Sequence, residues 1–466
     1  MFCLRLLATG CLAVLTLSAQ VDKLDPTIQK IVSEISQEHV ADSLKHLTGF
    51  ETRGNFSDPT QQNRGIGAAR QWIYDQFRSY SPRLEVSFDP YKVKKQGTRI
   101  LRDVEVVNVV AVLPGTTQPE KRLIVGGHYD SVAMVRKAGL PEPKGDGSDP
   151  SFDDSIDFEK SIESPSPGAT DDASGTALVL ELARVMSQYK FEKTIVFVTF
   201  AGEELGLIGS TLYADKAKAD NDQIEAMFNN DIVGNDVSGN GRKEDGLVHV
   251  FSEDPDDSPS RELARYIREA GQRYVPGFKA ELVFRNDRFG RGGDHTGFNQ
   301  NGFTAVRFTT AAENLESQHT ANDTLEKTSP SYNANVARVN AAGLASLALA
   351  PSAPETMREI TTGSAKGRKT PNLGRGKSHY DAVLRWKDAK PAEDLAGYAI
   401  VERSTTAPYW DHQIFVGKVN EFTLPETSID DVVFGVKAID VDGHESLVSP
   451  FVNAPAAPKK PIELQP

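Results

Sequence analysis

A series of acidic and histidine side chains occurs in chain order, each inside a short motif that joins polar residues to an apolar run. RLIVGG runs into His128-Tyr129-Asp130, and GATDDASG puts Asp171 and Asp172 at the mouth of an apolar, helix-like stretch. TIVFVTF leads into AGEELGLIGS with Glu203 and Glu204, FNNDIVGND sets Asp231 among apolar neighbours, and QHTANDT carries His319 in a polar loop. Imidazole nitrogens and carboxylate oxygens ligate borderline divalent cations, and a carboxylate can also move protons. Each motif has a plainer reading when taken singly. His128 reads as a surface histidine near a turn, Asp171–Asp172 as a helix N-cap, and Glu203–Glu204 as a solvated helix start. Asp231 is harder to dismiss, because an unpaired carboxylate in apolar surroundings is costly. A spacing of two lets His128 and Asp130 project to one side of a strand, where the acid can fix the imidazole tautomer. The polar stretch FRNDRFGRGGDHTGF, residues 284–298, adds Asp294 and His295. They read either as groups lining a pocket or as part of a Gly-rich loop held by Arg–Asp pairs.

The elements that must position these groups alternate. VEVVNVVAVL, RLIVGGHYD, TIVFVTF and TAVRFT read as buried strands. Gly65–Tyr80, Gly175–Tyr189, Ser258–Ala270 and Val336–Ala350 read as helices, and Asp25-Pro26 opens a further helical region. Strands alternating with helices predict an α/β domain on a largely parallel sheet, whose ligands sit outside the carboxyl ends of the strands. The rhythm changes near Ala350. Residues 351–377 are rich in Pro, Gly and basic residues, a linker or a first strand region. From 378 to 455 short apolar runs recur about every ten residues, as in a small all-β sandwich. Trp386 on an early strand, Tyr398 and VVFGVKAIDVDGHES resemble a fibronectin type III domain.

The 466 residues carry 52 Lys+Arg against 65 Asp+Glu, a net charge of −13, which is the wrong balance for a nucleic-acid partner. Both cysteines, Cys3 and Cys11, fall inside MFCLRLLATGCLAVLTLSAQ. That segment, with Arg5, an apolar run and small residues at Ser18–Ala19, reads as a signal peptide over residues 1–19. It predicts an exported product, secreted or periplasmic, with no membrane anchor after cleavage. Lacking cysteine, the mature chain must hold any metal through His, Asp, Glu or backbone. Residues 133–167 form an insertion with eight acids against four basic residues.

In order and flanking sequence, these motifs resemble the secreted co-catalytic dizinc aminopeptidases of the bacterial leucyl-aminopeptidase type, over most of residues 30–350. The resemblance implies a three-layer zinc-aminopeptidase fold over residues 20–350 and two Zn²⁺ ions per chain. His128 and Asp231 would bind one ion, Glu204 and His319 the other, and Asp171 would bridge them across a cis Asp171–Asp172 peptide. Glu203 would be the general base and Asp130 would orient His128, while Asp294 and His295 would stand near the substrate. Charge supports the same picture, since two carboxylates ~4 Å apart repel by about 4 kcal/mol at an effective dielectric near 20. The implied substrates are peptide or protein N-termini, and the C-terminal domain would take a polymer or surface ligand. Two alternatives share the fold: a single-zinc glutaminyl cyclase, with its HYDS and GATD phrases, and a non-catalytic binding protein.

Overall fold

The computed structural model describes residues 24–139, 155–363, 365–388 and 393–452, so the expected signal peptide and the middle of the acidic insertion lie outside the described residues. The chain divides into two units, Pro26–Leu349 and Ala350–Pro466, the latter counted with Met1–Asp25.

In the first unit, strands β1 (Glu85–Val93), β2 (Val104–Leu113), β3 (Gln118–His128), β4 (Lys193–Phe200), β5 (Gln223–Asn230), β6 (Leu247–Ser252), β7 (Lys279–Val283) and β8 (Ala305–Thr310) build one sheet. Their order is β1-β2-β4-β3-β5-β8-β6-β7. The central strands β4-β3-β5-β8 are parallel, whereas β1–β2, β2–β4 and β8–β6 pair antiparallel. The centre must be covered on both faces, and its sequence is suited to that: every residue of β4, KTIVFVTF, is buried.

Helices α1 (Pro26–Ser33), α2 (Gln37–Gly49) and α3 (Gly65–Tyr80) precede the sheet, and the described part of the insertion contains the short α4 (Phe158–Glu163). Then come α5 (Ser174–Met186), α6 (Ile208–Ala219), α7 (Pro259–Tyr274), α8 (His295–Gln300) and α9 (Pro330–Leu349). Ala214 and Ala217 of α6 and Phe298 of α8 pack with Ile124, Val196, Val198 and Met227 of the sheet. On the other face α9 packs against α5 and α7, and Phe228 of β5 lies beside Gly343 of α9. The result is three layers. α5 is buried almost all round, as its apolar sequence requires, and its first turn stands against the ends of β3 and β5. Among the described residues no helix is long and apolar enough to cross a membrane.

The second unit is all β. After the hairpin β9 (Met357–Glu359) and β10 (Lys369–Pro371) come β11 (Leu373–Gly374), β12 (Ala382–Arg385), β13 (Leu395–Ser404), β14 (His412–Gly417), β15 (Glu421–Leu424), β16 (Val432–Asp440) and β17 (Ser449–Pro450). They form a three-stranded sheet, β11-β12-β15, and a four-stranded sheet, β14-β13-β16-β17. Leu384, Leu424, Ile400 and Val436 from both sheets share one core, in which Trp386 packs edge-on to Tyr398 at 5.5 Å. Residues 351–377 thus hold a hairpin and a strand of the first sheet, rather than a bare linker.

Candidate metal centre

The sheet brings the motif residues to one edge. His128 ends β3, Glu203 and Glu204 follow β4, Asp231 follows β5, and the loop after β8 carries His319. Asp171 comes from the turn that opens α5, where the Asp171–Asp172 peptide is cis. These are the carboxyl ends of the four parallel strands, where an open α/β sheet leaves a crevice.

Two groups of donors result, His128–Glu203–Asp231 and Asp171–Glu204–His319, with the donor atoms of each within 4.8 Å of one another. Asp171 joins them. Its Oδ1 lies 3.1 Å from His128 Nε2 and its Oδ2 3.1 Å from His319 Nε2. Asp231 Oδ1 is 3.7 Å from His128 Nε2, and Glu204 Oε2 is 3.5 Å from His319 Nε2. His128, Asp171, Glu204 and Asp231 are buried, whereas Glu203 is partly open to the cleft.

This set fits a pair of divalent cations. His128 Nε2 and Glu204 Oε1 are buried without a hydrogen-bond partner, although opposite charges surround them. Such atoms normally find partners, and here each belongs to a different one of the two donor groups. Positive charge is also in demand. Burial opposes protonation of His319, yet Glu204 and Asp171 beside it push its pKa up to about 10. Burial, with the carboxylates of Asp231 and Asp171, pushes Glu203 up to about 7 despite the opposing pull of His128.

Supporting groups hold the ligands in place. Asp172 accepts from the backbone N–H of His128 at 3.1 Å, of Gly175 at 2.8 Å and of Ile232 at 3.1 Å, tying three site segments together. Asp130 stands beside His128 Nδ1, as expected of a residue that orients the ring, and holds more than the ring. The Nδ1 of His128 lies 3.1 Å from the Asp130 carbonyl, nearer than the 3.5 Å to its carboxylate. The carboxylate also accepts from Asn55 Nδ2 at 2.6 Å and from the N–H groups of Glu203 and Glu204 at 3.3 and 3.2 Å. Asp294 and His295 are fully buried and stand behind the cleft wall, not on it.

Sequence reasoning missed several supports. Asp323 accepts from Thr170 N–H and Asp171 N–H at 3.0 Å each. Buried Arg307 places Nη2 3.0 Å from Asp231 Oδ2, and Arg53 donates to the carbonyls of Tyr129 and Gly168. Asp323 lies within QHTANDT and was open to notice; the arginines carried no local signal.

Two cavities meet at Glu204. One, of about 300 Å³, lies over the acid–histidine cluster and is polar; the other, of about 40 Å³, is apolar and walled by Phe56, Met134, Ile156, Phe158 and Leu205. The insertion's described end thus forms part of the second cavity.

Comparison with known proteins agrees with this geometry. The profile of peptidase family M28 matches residues 108–344. A probable zinc metalloprotease of Pyrenophora tritici-repentis is 34% identical over 461 residues, covering 92% of this chain and 87% of its own. That span takes in most of the second unit as well as the first. LapB from Legionella pneumophila, 21% identical, matches with a TM-score of 0.52 over 73% of this chain and 82% of its own, a likeness of fold. The family match and the long relative, on a sheet edge that gathers acids and histidines, make the chain a metallopeptidase and a member of peptidase family M28.

Proposed function

We propose that this metallopeptidase is an exported aminopeptidase that holds two zinc ions and hydrolyses N-terminal residues from peptides. The observation that carries the reading is the Asp171 carboxylate, with one oxygen 3.1 Å from each histidine Nε2. His128 and Asp231 would hold one ion, Glu204 and His319 the other, and Asp171 both. Bound there, the pair supplies a water of lowered pKa and a Lewis acid for the scissile carbonyl. Glu203 opens on the cleft, takes a proton at its carboxylate and returns it to the leaving amine. Asp130 is a positioning residue, fixing the backbone that presents Glu203 and Glu204. A single-zinc cyclase or a non-catalytic binding protein would leave one of the two donor groups without work.

Export by the segment 1–19 belongs to the same proposal. So does a fibronectin type III-like role for the second unit in attaching the enzyme to a polymer or surface.

One preparation tests the catalytic reading. Metal content by mass spectrometry is expected near two zinc per chain, with hydrolysis of free aminoacyl substrates that a chelator abolishes and N-acetylation blocks. Fewer than two tight sites, or equal cleavage of the blocked substrate, would sink it. Glu203→Gln is expected to retain zinc and lose activity by about 10²–10⁴-fold.

A further inference from the structure

The polar cleft has one basic wall. Arg99, Arg288 and Arg291 line it together with Gly290 and Gly292, so guanidinium groups and bare backbone meet whatever enters. The apolar side chains of its lining are Leu207 and Ile232 alone. Arg288 and Arg291 are fixed rather than free to swing away. Arg288 Nη1 donates to Glu313 Oε1 at 2.8 Å, its Nε lies 3.1 Å from Asp287 Oδ1, and Arg291 pairs with the same Glu313 oxygen. One carboxylate therefore serves two guanidinium groups. Asp287 is shared in turn with Arg307 at 3.1 Å, and Arg307 is also paired with Asp231. The carboxylates on the cleft floor belong to the proposed ions. With Asp231 serving an ion, Arg288, Arg291 and Arg307 are left with Asp287 and Glu313, one anion fewer than cations, and a guanidinium held in place suits a carboxylate.

We infer that Arg288 and Arg291 form a carboxylate-recognising subsite beside the reacting centre. Preferred substrates then carry a carboxylate within one residue of the scissile bond: the side chain of an acidic N-terminal residue, or the C-terminus of a dipeptide. The inference rests on the aminopeptidase reading and narrows its substrate class. The apolar cavity across Glu204 defines the opposing outcome, selection for an apolar first residue.

The test uses the full zinc-loaded chain. kcat/KM is measured for the 4-nitroanilides of glutamate, glutamine and leucine, and for Leu-Leu against Leu-Leu-amide. Preference by about tenfold or more is expected within at least one charged–neutral pair. The Glu/Gln pair assigns it to the side chain, and the dipeptide pair to the C-terminus. Arg291→Gln should bring the ratio close to one, and Arg291→Lys, which keeps the charge, should restore part of it. Ratios within twofold in both pairs would overturn the subsite, as would a ratio that Arg291→Gln leaves unchanged. Leucine preferred over glutamate in both proteins, with no preference within the dipeptide pair, would overturn it too, in favour of the apolar cavity. Calorimetry separates this failure from that of the underlying reading. Glutamate should lose about tenfold in affinity relative to leucinamide on Arg291→Gln, even if no anilide is turned over.

Discussion

At the scale of the residue, ligands and their supports differ in how legible they are. His128, Asp171, Glu204, Asp231 and His319 can be picked from the sequence because each sits in a polar motif abutting an apolar run. Arg307 and Arg53 cannot, since the atoms they hold come from segments far away in the chain and are joined only by folding. Asp323 stands between these cases. It accepts from Thr170 and Asp171 N–H at 3.0 Å each and from Thr170 Oγ1 at 2.8 Å, so it fixes the turn that aims Asp171 at both histidines. Asn at this position keeps the shape but turns a donor toward one of those N–H groups. Asp323→Asn is therefore expected to weaken metal binding by about 10–100-fold, read by competition with a chelator. Unchanged affinity would show that the turn holds itself.

At the scale of the element, the buried parallel strands and long helices are readable because burial on both faces leaves continuous apolar runs. β1 escapes such a reading: it is an edge strand with Pro90 and several charged residues, half of it exposed. α6 escapes for another reason, since IGSTLYADKAKA buries mainly Gly209, Ser210, Ala214 and Ala217 and has no large apolar stripe. The joint between α5 and the sheet depends on close approach. A Cβ on Gly175 would stand 2.1 Å from the Asn230 carbonyl oxygen and 2.3 Å from Asp172 Oδ2. In an exposed helix Gly→Ala stabilises by roughly 1 kcal/mol. Here the obstructing atoms are backbone and a carboxylate engaged on three segments, so the sign reverses. Gly175→Ala is expected to cost about 1–3 kcal/mol in a denaturant titration and to lower zinc occupancy together with it. A gain in stability would mean that α5 can slide off the strand ends without loss.

At the scale of the whole molecule, the break near residue 350 follows from the change in rhythm, whereas its charges do not reveal which of them matter. Most of the net −13 is solvated surface, but the second unit buries a titratable cluster that acts on stability. His444 lies with Nδ1 2.8 Å from Asp440 Oδ2 and Nε2 3.1 Å from Asp25 Oδ2, its side chain 10% exposed. Burial works against the imidazolium, but hydrogen bonds and charge from Asp440 and Asp25 outweigh it and hold the His444 pKa above the ordinary histidine range. A group whose pKa is raised on folding contributes stability that is fully present below its unfolded value, near 6.5. That contribution is lost as pH rises through the folded value. The transition assigned to the second unit should therefore fall in temperature from about pH 6 upward through the His444 titration, whereas acidic partners titrating alone would produce a fall only at lower pH. His444→Gln keeps a polar side chain without the charge and should remove this fall, lowering the transition at pH 6 toward its value in alkali. Differential scanning calorimetry of the full chain at several pH values, with NMR titration of the His444 ring, measures both sides of the linkage. A ring that titrates below the ordinary range, or a variant with the same pH dependence as the wild type, would place the source of that stability elsewhere in the sandwich.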